Sequence, residues 1–128
     1  MSERVETVVV GAGQAGLSTS WHLTRRGIEH VVLERGRVGQ EWRQARWDSF
    51  VLNTPNWAQQ LPGFAYDGPA PDAFAPLAEV IAYLEDYAAS FTAPVREGVA
   101  VRSLRAAPGG GYRLETDGGA FDTRSVVV

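Results

Sequence analysis

A run of six residues, Gly11-Ala12-Gly13-Gln14-Ala15-Gly16, limits the fold more than any other feature of the chain. It matches G-x-G-x-x-G, and such a match carries weight only where a strand precedes it and a helix follows. Both conditions are met. Thr7 to Val10 is a short β-branched run ended by Gly11, the pattern of a buried parallel strand. From Gln14 to Arg26 the residues suit a helix. Leu17 and Trp21 stand four apart on one face, Arg25 and Arg26 lie in the last turn where cations favour the helix dipole, and Gly27 fits the position just past the end. Val31-Val32-Leu33 supplies the next strand, giving a βαβ unit whose two strands run parallel.

In that context each glycine has a job. Gly11 permits the tight turn, Gly13 lets the backbone approach a pyrophosphate, and Gly16 lets helix and strand pack closely. The first N–H groups of the helix, at Gln14 and Ala15, have no partner inside it and stabilise phosphate charge. Glu34 ends the second strand, eighteen residues after Gly16, where an acid can accept hydrogen bonds from both hydroxyls of an adenosine ribose. Glu34 also weighs against a 2′-phosphate at this site, although Arg35 is adjacent. Leu17 stands where a phosphate-loop lysine would be needed, which disfavours nucleoside triphosphate hydrolysis. These residues indicate an adenine dinucleotide and leave FAD and NAD unseparated.

The rest of the chain divides into three stretches. Residues 36–76 are rich in Gly, Pro, Asn, Asp, Trp and Phe without a sustained period, and their aromatic content predicts a long ordered segment wrapped over something. Leu77, Val80, Leu84, Tyr87 and Phe91 then follow at helical spacing, with Pro76 suited to the first helical position and Tyr83, Tyr87 and Phe91 read as one buried face. Alternating residues separated by Gly109-Gly110-Gly111 and Asp117-Gly118-Gly119 predict a small antiparallel meander from Val99 to about Asp122. Ser125 to Val128 is expected to return as a strand of the main sheet. The predicted class is α/β: a Rossmann-like fold with a central parallel sheet and a small antiparallel meander.

Composition excludes several other functions. The 128 residues carry a net charge of −3 with mixed signs, whereas a nucleic-acid partner calls for a basic face. No cysteine and only two histidines, His22 and His30, argue against a disulfide framework, a structural zinc or any other metal site. No apolar run reaches the length of a membrane span, and the N-terminus lacks a signal-peptide profile, so a cytoplasmic protein is expected. No nucleophilic elbow or acid–base pair stands out. Trp47 and Trp57 read as packing residues, and Arg35, Arg37, Arg43 and Arg46 as a solvated set.

Past Glu34, the sequence resembles the N-terminal part of flavin-containing monooxygenases, the group that includes the plant YUCCA enzymes and Baeyer–Villiger monooxygenases. The resemblance rests on Val8 to Ser18, Leu33-Glu34-Arg35, Gly39-Gln40-Glu41-Trp42-Arg43, Arg46-Trp47-Asp48-Ser49-Phe50-Val51-Leu52-Asn53-Thr54-Pro55, Leu61-Pro62-Gly63-Phe64, Glu79 to Leu84 and the closing valines. It covers nearly the whole chain in family order. It implies that Gly11, Ala12, Gly13, Gln14, Ala15 and Gly16 hold the FAD pyrophosphate and that Glu34, with Arg35 beside it, faces the adenosine ribose. Gln40 and Trp42 would lie along the flavin side, with Gln40 replacing the family's second glycine. Leu52 and Asn53 would stand near the isoalloxazine ring, with Asn53 as the polar, catalytic residue, and Val101 would meet the adenine through its backbone.

The chemistry implied is hydride transfer from NADPH to FAD, reaction of the reduced flavin with O₂, and oxygen transfer from a C4a-(hydro)peroxyflavin to a small organic substrate. The family's NADPH site is a second glycine-rich motif, and none occurs here. Residues 1–128 are therefore expected to form a truncated FAD-binding domain, with the NADPH-binding domain and C-terminal part lying elsewhere, and to be inactive alone. A non-catalytic dinucleotide-binding or interaction fragment is the alternative. Another FAD-dependent oxidoreductase also remains, though a disulfide reductase would need a redox cysteine pair.

Overall fold

The apolar run that precedes the glycines becomes the axis of a sheet. In the computed structural model, which describes residues 2–44, 47 and 49–128, strand β1 spans Ser2–Val10 and is followed by helix α1 (Gln14–Arg25) and strand β2 (His30–Glu34). Arg46 and Asp48 lie outside the described residues. Helix α2 (Gln40–Gln44), strands β3 (Gln60–Leu61) and β4 (Phe64–Ala65) and helix α3 (Leu77–Ser90) come next, then β5 (Val95–Glu97), β6 (Val101–Ala106), β7 (Tyr112–Thr116) and β8 (Gly119–Val127). The main sheet has the order β5-β2-β1-β8-β7-β6. Its first four strands are parallel, with Val8 opposite Val31 on one side and Val126 on the other. Strands β6, β7 and β8 form the antiparallel meander.

Two boundaries differ from those read in the sequence, for one reason. The meander and the returning strand are not separate pieces, because β8 runs without a break from Gly119 to Val127. One edge of β8 pairs antiparallel with β7 through Thr123, while the other pairs parallel with β1 from Ala120 to Val127. That parallel pairing also draws Ser2 to Glu6 into β1, although all of these residues but the buried Val5 are polar and the segment was expected to precede the strand. Backbone pairing with a neighbour, rather than side-chain pattern, sets both ends.

Alternation along β1 and β2 sorts their side chains onto two faces. Val9 and Val32 join Leu17 of α1 and Leu84 and Tyr87 of α3 in one buried cluster. Val5, Val8, Val31 and Leu33 join Leu114 of β7 and Phe121 of β8 in another. Full burial of each such side chain contributes about 1.5–3 kcal/mol, which is why the two strands anchor the molecule. Helix α1 ends as read: Gly27 takes φ +66°, and the Gly27 and Ile28 amides bond to the Thr24 and Leu23 carbonyls at 3.1 and 3.0 Å. Pro76 is the residue before α3, extended at ψ 166°, rather than the first residue within it.

Tyr87 is the largest fully buried side chain. Its hydroxyl lies beside that of Ser18 yet makes no hydrogen bond of normal geometry, and burial pushes the phenol up to about 12, with Ser18 opposing the shift. A buried hydroxyl left unpaired costs about 1–3 kcal/mol. Tyr87→Phe is therefore expected to unfold at equal or higher denaturant concentration than wild type. The folded state holds this proton more tightly than the unfolded chain, so the Tyr87 contribution is complete below about pH 10 and is lost as pH rises towards 12. Denaturation at neutral pH and near pH 11 checks both points. A variant less stable than wild type, or one with an undiminished alkaline loss, contradicts them.

Within the described part of segment 36–76, a buried asparagine ties residues 56–73 together. Asn56 is 2% exposed; its Nδ2 donates to the Ala70 carbonyl at 2.9 Å and its backbone N–H to the Ala73 carbonyl at 2.9 Å. Gln59 Nε2 donates to Asn56 Oδ1 at 3.0 Å. The Leu52 amide bonds to the Ala75 carbonyl at 3.0 Å within the segment, and Tyr83 ties it to α3: its hydroxyl accepts from the Leu61 amide at 3.2 Å and donates to the Phe64 carbonyl.

Candidate dinucleotide-binding site

The site begins where β1 runs out. Gly11 turns the chain at φ +100°, a conformation glycine adopts without a steric cost, and its amide bonds to the Leu33 carbonyl at 2.8 Å. Gly13 precedes α1 with extended backbone and no side-chain cap, and the first bond into the helix runs from the Leu17 amide to the Gly13 carbonyl at 2.9 Å. The helix N-terminus is thus left to whatever approaches it. A Cβ built on Gly13 meets nothing within 4 Å, whereas one on Gly16 would sit 1.9 Å from the Gly11 carbonyl oxygen. The third glycine therefore permits close contact with the turn itself, and Val9 of the strand is next nearest at 3.6 Å.

Glu34 is 6% exposed at the end of β2. Its Oε1 accepts from the Ala12 amide at 2.9 Å and its Oε2 from the Gly36 amide at 2.7 Å, so one carboxylate clamps the glycine-rich turn to the loop after β2. Each oxygen keeps acceptor capacity beyond these bonds. The loop is further held by the Gly39 amide on the Ala12 carbonyl at 3.0 Å and the Val38 amide on Glu97 Oε2 at 2.7 Å.

Three concavities surround the turn. The first, about 310 Å³, lies between Gly11, Ala12, Gly13, Glu34, Arg35, Gln40 and Val101. The second, about 280 Å³, is bounded by Gly11, Gly13, Gln14, Ala15, Gly16 and the closing Val127 and Val128, at the C-terminal ends of β1 and β8 where open α/β sheets bind ligands. The third, about 230 Å³, is lined by Gln14, Trp42, Leu52, Leu61, Tyr83 and Leu84. Burial pushes the Tyr83 phenol above its ordinary value, and its bond to the Leu61 amide acts the other way.

The structure thus brings most of the sequence-selected residues around one turn and divides them. Gln40 and Trp42, read together, face different cavities: Gln40 folds back so that its Oε1 accepts from the Arg37 amide at 2.9 Å, while Trp42 Nε1 donates to Gln14 Oε1 at 3.0 Å. Arg35 is exposed and pairs with Glu41 at 3.5 Å. Leu52 is half-buried, and Asn53 stands exposed in a bend outside these three linings. Trp47 and Trp57, expected to pack, are 63% and 55% exposed. Arg43 is not a solvated cation but ties α2 to α3, reaching Glu85 at 3.1 Å and the Val38 carbonyl at 3.1 Å. Sequence reasoning missed Asn56, Glu97 and the bond between Ser20 Oγ and His30 Nε2 at 2.7 Å. These partners follow no helical or strand period that could have signalled them.

Among the described residues no group of acids and histidines could hold a metal ion, and no helix is long and apolar enough to cross a membrane.

The comparisons with known proteins agree with this geometry. Residues 8–128 match the family model described as pyridine nucleotide-disulphide oxidoreductase. An uncharacterised CzcO-like oxidoreductase of Geobacillus kaustophilus is 36% identical over 100% of this chain and 36% of its own length. Indole-3-pyruvate monooxygenase YUCCA1 of Oryza sativa subsp. japonica is 33% identical over 91% of this chain and 30% of that protein. Among solved structures, a flavin-containing monooxygenase from Stenotrophomonas maltophilia superposes with a TM-score of 0.83 at 31% identity, over 97% of this chain and 37% of that one. A bacillithiol disulfide reductase from Staphylococcus aureus shares the fold at 14% identity and a TM-score of 0.86. The chain spans about a third of the length of these relatives. It belongs to the pyridine nucleotide-disulphide oxidoreductase family and is similar over nearly its whole length to part of flavin monooxygenases.

Proposed function

We propose that this chain binds FAD across the glycine-rich turn and forms the FAD-binding part of an NADPH-dependent monooxygenase acting with O₂ on a small organic substrate. The observation that carries the reading is the clamp of Glu34 on the Ala12 and Gly36 amides, which holds the turn, the helix N-terminus and the first cavity in one arrangement. The residues present fit the cofactor: Gly13 is open where a pyrophosphate would approach, and no side chain caps α1. Gly11, Gly13 and Gly16, with the backbone of Gln14 and Ala15, would hold the pyrophosphate. Glu34 would take the adenosine ribose on its remaining acceptor sites, and Val101 would face the adenine. Trp42, Leu52 and Asn53 would lie towards the flavin.

When bound, the flavin supplies acceptance of hydride from NADPH and activation of O₂, while the chain supplies position and charge. Its 128 residues contain one G-x-G-x-x-G, and a second such motif would be needed to seat NADPH. This favours a division of labour in which this chain holds FAD and the nicotinamide and substrate sites are built by other sequence. The chain alone is then expected to take up FAD, seen as quenched flavin fluorescence, to bind ADP competitively, to ignore FMN, and to leave NADPH unoxidised. No uptake of FAD by the folded chain sinks the reading. Measured consumption of NADPH overturns the division of labour.

A further inference from the structure

Gln14 stands where two of the cavities meet, lining the one beside Gly13 and Val127 and the one beside Trp42 and Leu52, but not the one containing Glu34. Its backbone amide belongs to the open end of α1, and its exposed side chain is nevertheless pinned by the 3.0 Å bond from Trp42 Nε1 to Oε1. An indole N–H only donates, so the bond settles which end of the amide faces Trp42. The Nε2 group, with two donors, is turned to the opposite side, and no described residue accepts from it. Trp42 is a firm reference for this orientation. Its helix is docked by the Gly39 amide on the Ala12 carbonyl and by Arg43 on Glu85, and its ring meets Phe50 edge-on at 5.7 Å.

Pinning an exposed glutamine costs rotamer freedom, and a single solvent-facing hydrogen bond returns little. A donor fixed in this way is useful to a ligand that arrives with an acceptor. We propose that the Gln14 side-chain amide, aimed by Trp42, donates to an oxygen of the bound dinucleotide on the side of the turn away from Glu34, with Trp42 as a positioning residue acting through Gln14. The inference rests on the FAD reading above.

The test is FAD titration, followed by flavin fluorescence, of the wild-type chain, Gln14→Ala, Gln14→Glu, Trp42→Phe and the double variant Gln14→Ala/Trp42→Phe, with the unliganded unfolding midpoint of each as control. Gln14→Ala is expected to weaken FAD about tenfold. Gln14→Glu should weaken it further, because the carboxylate keeps its bond to the indole but has no donor and repels phosphate. Trp42→Phe keeps the ring and loses the N–H, and should weaken binding about threefold. The double variant should bind no worse than Gln14→Ala, since removing the amide leaves Trp42 nothing to aim.

If the pair only ties α1 to α2, the midpoints fall while all affinities stay at the wild-type value; that result, or additive losses in the double variant, overturns the proposal. Titration with ADP locates the acceptor. Equal losses for ADP and FAD put it on the pyrophosphate, a loss confined to FAD puts it in the flavin half, and either supports the proposal. A wild-type chain that takes up no FAD overturns the dinucleotide reading and this inference together, whereas wild-type uptake with unaffected variants overturns this inference alone.

Discussion

Gly16→Ala is expected to destabilise the chain by about 3 kcal/mol and to abolish measurable FAD uptake at concentrations that saturate wild type. Two effects of opposite sign compete at this position. Gly16 lies inside α1, where alanine is favoured over glycine by about 1 kcal/mol through helix propensity alone. Its Cβ, however, would stand 1.9 Å from the Gly11 carbonyl oxygen, and that neighbour is backbone fixed by the turn, not the movable end of a side chain. Overpacking against atoms that cannot yield costs about 1–3 kcal/mol, and a backbone contact this short belongs at or beyond the upper end. The clash wins. Relief requires α1 to move off the turn, which also displaces the N–H groups that would face a pyrophosphate. Thermal unfolding and FAD titration of the variant test this, and a Gly16→Ala chain that melts with wild type and binds FAD normally would sink the account. Gly13→Ala offers an internal contrast: its Cβ meets no protein atom within 4 Å, so the unliganded fold should tolerate it while cofactor affinity falls.

Glu34→Ala is expected to cost about 2–4 kcal/mol, because it leaves the Ala12 and Gly36 amides without their acceptors, each loss being about 1–3 kcal/mol in a buried setting. The isosteric Glu34→Gln should recover part of this and not all. A glutamine presents one oxygen and one N–H₂, so one backbone donor would then face another donor. Both variants should bind FAD and ADP at least tenfold more weakly, Glu34→Ala more so, because the acceptor for the ribose and the clamp on the turn are lost together. Chemical denaturation reads the first effect and ligand titration the second. Were Glu34→Gln as stable as wild type and defective only in binding, the clamp would be energetically idle and Glu34 a ribose contact alone.

The residues with the strongest local signals were those best read from sequence. Gln14 to Arg25 is helical and closes at Gly27, Leu77 to Ser90 buries Val80, Leu84 and Tyr87, and Tyr112 to Thr116 is a strand with the boundaries of its alternation. Each of these signals is carried by neighbours in the chain: a 3.6 or 2.0 residue period, a glycine at a positive φ, a turn between alternating runs. The glycine spacing and the acid after β2 likewise follow from local geometry, since strand, turn and helix must occur in that order for the motif to have meaning.

Long-range partners had no such signal. Ser2 to Glu6, polar except for Val5, becomes strand because β8, more than a hundred residues away in sequence, offers a parallel edge. Glu34 looked like a ligand residue and proves also to be a backbone clamp, Gln40 and Trp42 diverge into separate cavities, and Asn56 organises residues 52–76 from inside. By itself the sequence determined a βαβ unit with a glycine-rich turn between strand and helix, because periodicity and glycine conformations act within a few residues. Only the tertiary structure decided which buried polar atoms meet, since a hydrogen bond between distant residues depends on where the packed elements bring them.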